Sequence, residues 1–166
     1  MSMTKNYPSH LLQFFEDKKI GLIPTDTLWC LCWPMSKVGA IQRVIAAKSL
    51  RPEDPLIFLM SDLDMLKHYV SRLHPRVETL LSLQRRSLSI VYPEIQNVPE
   101  EYYPYRDALA FRVVEEHPIS EIIKEMREPL VCINAGSSTK FAVDYLDILP
   151  NMMDLADFQL PNAQEF

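Results

Sequence analysis

Short apolar runs recur along this chain, and amphipathic stretches separate them. The runs are Ile20–Ile23, Pro55–Met60, Ser87–Tyr92, Ala108–Val114 and Leu130–Ile133. Each is bounded by proline or polar residues and is short for a helix, so each reads as a buried strand. Pro24 is expected to end the first run, because proline has no N–H to give to a sheet. The spacing of apolar residues predicts helices over His10–Lys19, with Ser9 as N-cap, and over Val38–Lys48. Further helices are expected from a Ser61 or Asp62 cap to Tyr69, and over Pro75–Gln84, Pro118–Arg127 and Lys140–Leu146. In the Pro75–Gln84 helix, Val77, Leu80 and Leu81 are expected to point inward. Pro93–Tyr105 reads as an irregular loop. The tail after Pro150 has no clear period, with Leu155–Phe158 as a candidate edge strand. Strands interleaved with helices imply an α/β or α+β sheet domain.

A length of 166 residues fits one domain, 1–166, without an internal linker or repeat. The net charge of −5 disfavours a protein that lives on phosphate-backbone contacts, although a local basic patch is compatible with it. With 3 Gly against 13 Pro, few positions tolerate a positive φ, which weighs against a glycine-rich phosphate loop. Cys30, Cys32 and Cys132 are odd in number, and MSMTKNYPSH lacks the apolar core of a signal peptide. The expectation is reduced thiols in a cytoplasmic protein, with no membrane association. Cys30-x-Cys32 has no nearby histidine and reads as buried thiols, so no metal site is expected.

The chemistry concentrates between Ile20 and Arg51. Thr25, Asp26 and Thr27 follow an apolar strand, where α/β folds usually place ligands. The same residues are also good turn formers, because Thr and Asp side chains bond local backbone. Lys48 and Arg51 fall at the end of the following helix. There they suit the negative end of its dipole or an anionic ligand equally well.

Pro24-Thr25-Asp26-Thr27, Trp29, Lys48, Arg51-Pro52 and Pro55-Leu56 together resemble the YrdC-like family of threonylcarbamoyl-adenylate synthases. The likeness is strongest over residues 20–148. It implies a single domain whose twisted mixed sheet, flanked by helices, surrounds a concave cavity. It also implies ATP with magnesium, L-threonine and bicarbonate as substrates. Threonine's amine and bicarbonate give a carbamate that attacks the α-phosphate, and pyrophosphate leaves. The product serves tRNA modification, and RNA, including double-stranded RNA, is a further partner of this kind of scaffold.

By the same resemblance, Lys48 and Arg51 are candidates for the catalytic phosphate clamp. Thr25, Thr27, Ser89, Arg112, Asn134 and Ser138 are candidates for substrate binding. Several positions depart from the family pattern. Leu50 stands where the family's arginine follows its lysine, and Arg51 comes one residue later, a rotation of about 100° on a helix. Asp54 replaces a lysine, and Arg85-Arg86-Ser87 replaces a Pro-Gly-Pro turn. The serine and asparagine that help hold ATP become Asn134 and Gly136. A missing buried hydrogen-bond partner costs roughly 1–3 kcal/mol. These changes leave open a working synthase, a synthase relative with reduced or lost activity, and a non-catalytic nucleotide- or RNA-binding protein on the same scaffold. Trp29 reads first as core, and His10, His68, His74 and His117 read as surface residues.

Overall fold

The computed structural model describes residues 7–48 and 55–160. Helix α1 (Leu11–Glu16) precedes a hairpin of strands β1 (Gly21–Pro24) and β2 (Trp29–Pro34), and α2 (Gly39–Lys48) follows. Next come β3 (Leu56–Met60), α3 (Leu63–Tyr69), α4 (Pro75–Leu83) and β4 (Ser89–Val91). A 3₁₀ helix, Glu100–Ala108, leads into β5 (Leu109–Val113), α5 (Ile119–Met126) and β6 (Leu130–Asn134). A short 3₁₀ turn at Tyr145–Asp147, α6 (Pro150–Leu155) and β7 (Phe158–Gln159) complete the order.

The strands form one 7-stranded mixed sheet in the order β4-β5-β3-β6-β2-β1-β7. The β3–β5 and β1–β7 pairs are parallel and the others antiparallel. Alternate residues divide between two apolar layers. One face presents Leu31, Trp33, Phe58, Phe111 and Val131 to α2, α3, α6 and the long 3₁₀ helix. The other presents Ile23, Cys30, Cys32, Leu59, Leu130 and Cys132 to α1 and α5.

Local chemistry explains most element ends. Asp62 caps α3, its carboxylate accepting the Met65 N–H at 2.8 Å, in the manner expected of an N-cap. His74 and His117 do the same work for α4 and α5, each ring Nδ1 accepting a backbone N–H two residues on. Asn151 of α6 donates to the Ala47 carbonyl at 2.8 Å, tying α6 to the last turn of α2.

Pro24 is the last residue of β1, paired with Trp29 where β7 no longer pairs with β1, so the first run ends there as expected. A proline is tolerated at such an unpaired edge. Other expectations are corrected. The segment Trp29–Pro34 is a strand buried along its whole length; its apolar run lacks the alternation that marks a half-exposed strand. The Pro93–Tyr105 region holds the 3₁₀ helix, whose three-residue turn sets Tyr102 and Tyr105 on one side, both packed on the core. Leu80 of α4 is 46% exposed, and no residue of that helix is buried. The expected helix over Lys140–Leu146 is absent, and α6 appears where no period was visible. The edge strand sits at Phe158–Gln159. There the Phe158 ring lies over Gly21 in the space a Cβ would take, held by Phe14 and Phe15.

Tyr102 joins the 3₁₀ helix to the core. The Trp33 indole N–H donates to its hydroxyl at 3.0 Å, and that hydroxyl donates to the Met35 carbonyl at 2.9 Å. All of this is buried, so Tyr102→Phe strands an indole donor and a carbonyl. The variant is expected to lose about 1–3 kcal/mol in urea denaturation; an unchanged midpoint would contradict this role.

Candidate functional site

Arg112 on β5 is the centre of the site. Its Nε donates to Ser89 Oγ at 2.8 Å, and its Nη1 donates to Asp26 Oδ1 at 2.8 Å and Thr27 Oγ1 at 3.1 Å. Asp26 also accepts the Ser87 hydroxyl on its other oxygen at 2.5 Å. A guanidinium has five N–H groups, and the two on Nη2 make no hydrogen bond among the described residues. The Arg112 and Asp26 side chains are only 12% and 9% exposed, so bulk salt screens this pair little.

The pair reports the shape of the sheet. Asp26 follows β1, and four strand-to-strand steps separate β1 from β5. In a flat sheet those strands lie roughly 19 Å apart, beyond the joint reach of one arginine and one aspartate. The direct contact means that the sheet curls toward the face carrying Arg112 and that the β1–β2 turn reaches across it. By strand register, Ser89, Arg112, Leu59 and Leu130 share this face, and Cys132, Asn134, Cys30 and Ile23 follow by alternation. The result is the concave wall expected from the sequence. Ser87 was not among the expected site residues, and Asp26, expected near a ligand with its two threonine neighbours, was not expected as the partner of Arg112. The available signal was a carboxylate set between two threonines directly after a buried strand.

Thr25 and Thr27 divide the two expected roles. Thr25 is buried, and its hydroxyl donates to the Leu28 carbonyl at 2.9 Å while lying 3.3 Å from the Thr27 and Leu28 N–H groups that it accepts. It builds the turn. Thr27 is exposed and turns its hydroxyl to Arg112.

On the far side of the hollow, Asn134 organises the loop after β6. Its Oδ1 accepts the Gly136 N–H at 3.0 Å and the Ala142 N–H at 2.9 Å, while Nδ2 donates to the Ser137 carbonyl at 3.2 Å. Gly136 is packed so closely that a Cβ would collide with the Lys140 carbonyl oxygen and lie 2.6 Å from the Ala142 nitrogen. Any side chain is therefore excluded unless backbone moves. Ser138 is exposed and makes no hydrogen bond among the described residues. Trp29 is core, edge-to-face with Tyr145 at 5.2 Å.

Lys48 is the last residue of α2, a helix whose Ile41 and Val44 pack on the opposite layer of the sheet. Arg51, with Leu50 and Asp54, lies outside the described residues. The site residues brought together are thus Thr27, Ser89 and Arg112, with Thr25 supporting the turn and Asn134 set in the facing loop.

Beside the Arg112–Asp26 pair opens a cleft of about 290 Å³, lined among others by Asp26, Arg85, Arg86, Ser87, Glu115 and Glu116. Beneath the hollow lie the thiols. Cys32 and Cys132 face each other across β2 and β6, and Cys30 lies 3.9 Å from the Thr25 hydroxyl. Burial pushes the Cys30 and Cys32 thiols well up from their ordinary range, with the neighbouring Cys132 adding to the effect. Burial likewise raises Tyr7, whose hydroxyl donates to the Pro24 carbonyl at 2.7 Å. No helix among the described residues is long and apolar enough to cross a membrane.

Comparison with known proteins agrees with this arrangement. A family model described as telomere recombination, Sua5_yciO_yrdC, matches residues 13–165. A threonylcarbamoyl-AMP synthase of Enterobacter sp. (strain 638) is 23% identical over 148 residues, covering 81% of this chain and 74% of that protein. The fold matches P. abyssi Sua5 complexed with L-threonine with a TM-score of 0.74 at 19% identity, over 91% of this chain and 45% of Sua5. It matches E. coli YciO with a TM-score of 0.70 at 15% identity, over 89% of this chain and 73% of YciO. The chain thus spans less than half the length of the Sua5 chains it resembles, and at these identities the solved structures share its fold.

Two measurements check the local account. Gly136→Asn is expected to lose about 1–3 kcal/mol through overpacking against backbone; a variant as stable as the parent would contradict the packing. A raised thiol or phenol holds its proton more tightly in the folded state. Its contribution is complete below the unfolded pKa and lost as pH rises above it. Stability should therefore fall above about pH 8.5, the unfolded thiol value. A urea midpoint that stays constant from neutral to alkaline pH would contradict buried, protonated thiols.

Proposed function

This chain belongs to the Sua5–YciO–YrdC family, and we propose that it is a threonylcarbamoyl-AMP synthase relative with a retained amino-acid wall and a rebuilt nucleotide wall. On this reading the substrates are L-threonine, bicarbonate and ATP as its magnesium complex, and synthase turnover is strongly reduced. The product class, an aminoacyl-carbamoyl adenylate, is consumed by a tRNA-modifying step.

Arg112 supports the retained half. Ser89, Asp26 and Thr27 fix its guanidinium, and Nη2 keeps two N–H donors, either of which can make a charge-assisted hydrogen bond to a carboxylate. Thr27 stands beside it for the amino acid's hydroxyl. A carbamate formed on the threonine amine would then lie in the hollow, and Lys48 and Arg51 are the residues proposed for the phosphate clamp.

The observation that carries the reduced activity is the loop after β6. Asn134 spends its amide on Gly136, Ser137 and Ala142, and the backbone around Gly136 leaves no room for a side chain. Two groups that would hold ATP from this side are thereby committed elsewhere or missing. Each lost bond is worth roughly 1–3 kcal/mol, or about tenfold to a hundredfold in rate.

Pyrophosphate release with ATP, L-threonine and bicarbonate is the test. The rate is expected to be at least about tenfold below that of the Enterobacter synthase under the same conditions. L-threonine binding, followed by calorimetry, is expected to survive in the parent and be lost in Arg112→Gln. Release as fast as that synthase, abolished by Lys48→Ala, would overturn the proposal. So would threonine binding that ignores Arg112→Gln.

A further inference from the structure

The cleft beside Asp26 has a cationic edge that the amino-acid wall does not use. Arg85 and Arg86 are consecutive and exposed, and both line the cleft. Neither makes an ion pair or hydrogen bond among the described residues. Capping does not account for them. Helix α4 ends at Leu83 with Gln84 closing it through a backbone bond to Leu80, and neither guanidinium touches the last carbonyls. Their backbone is nevertheless anchored, because the next residue, Ser87, bonds Asp26 and thereby the Arg112 brace. Two guanidiniums without partners among the described residues are thus carried next to an anchored residue of a concave site.

The same cleft is lined by Glu115 and Glu116, also exposed and without ion pairs among the described residues. They set the sign of the test. A ligand that is purely anionic gains from the arginines and loses to the glutamates. A zwitterion such as a free amino acid gains from both. The volume of about 290 Å³ lies at the low end of ligand pockets, suiting a compact polar group rather than a whole nucleotide.

We propose that Arg85 and Arg86 form an oxyanion grip for the pyrophosphate portion of a nucleotide, at the outer edge of the hollow. Guanidiniums suit this task because their planar fork matches phosphate oxygens in pairs. The arginines occupy the chain position where the family pattern has its Pro-Gly-Pro turn, and so supply cations to a chain that has lost one at Asp54. The assignment rests on the reading of the protein as a relative of an ATP-consuming synthase, but its first readout does not require turnover.

The experiment is titration of the full chain with inorganic pyrophosphate by calorimetry at low salt, alongside Arg85→Gln/Arg86→Gln and Glu115→Gln/Glu116→Gln double variants. Thermal midpoints equal to the parent's establish that both variants are folded. The arginine variant is expected to bind pyrophosphate at least about tenfold more weakly, and the glutamate variant about twofold more tightly, since like charge has been removed. Pyrophosphate that fails to bind the parent, or binds the arginine variant equally well, overturns the proposal. L-threonine that binds in place of pyrophosphate and is weakened by both double variants overturns it in favour of a zwitterionic ligand. A short RNA that displaces pyrophosphate and depends more steeply on Arg85 and Arg86 overturns it in favour of a nucleic-acid backbone. Pyrophosphate held by the arginines together with release from ATP as fast as that of the Enterobacter synthase would leave the grip standing and sink the reduced-synthase reading instead.

Discussion

The Arg112–Asp26 contact is the interaction on which the shape of this molecule turns. Strands β5 and β1 stand four places apart in the sheet order, and this nearly dry ion pair joins Arg112 of β5 directly to the turn that follows β1. A buried charge is tolerated when it is paired and its remaining donors are satisfied. Here Ser89 and Thr27 supply part of that satisfaction, and Ser87 completes Asp26. The same contact leaves one side of the guanidinium without a protein partner. The brace that makes the hollow and the donor that would serve a ligand are therefore one side chain.

The two walls of the hollow have different logics. Around Arg112 the polar groups come from β1's turn, β4 and β5, and most of them point at one guanidinium. Around Asn134 they come from a single loop and point at that loop's own backbone. The first arrangement is organised for something outside the chain; the second satisfies its own peptide groups. The close packing at Gly136 makes the second arrangement hard to reverse by one substitution, because backbone atoms rather than flexible side-chain ends fill the space. The buried thiols beneath the hollow act as small core residues, and burial holds Cys30 and Cys32 in the protonated form.

Much of this was legible in the sequence, and the failures have physical causes. The runs at Leu56–Met60, Leu109–Val113 and Leu130–Asn134 are central strands, and unbroken apolar segments with short ends announced them. Trp29–Pro34 is equally central, but its cysteines and tryptophans in sequence give no period that marks a strand. The 3₁₀ helix at Glu100–Ala108 is stabilised by Tyr102 meeting Trp33 and Met35, contacts far away in sequence that no local pattern encodes. Arg112 stood out as a charge in an apolar strand, and Thr25 and Thr27 by their place after one. Asp26 as its partner was not legible, because nothing local says that the sheet curls. The inability of Gly136 to carry a side chain was likewise invisible until Lys140 and Ala142 were seen against it.

The account stands or falls on the brace across the hollow. A double-mutant cycle of Asp26→Ala and Arg112→Ala, read by urea denaturation, isolates the coupling between the two groups from the effect of losing either one. For a pair so little exposed, the account predicts a coupling of about 1–3 kcal/mol, with each single variant nearly as destabilised as the double. Strictly additive single-variant losses, with coupling below about 0.3 kcal/mol, would mean that the sheet curls for some other reason and would contradict it.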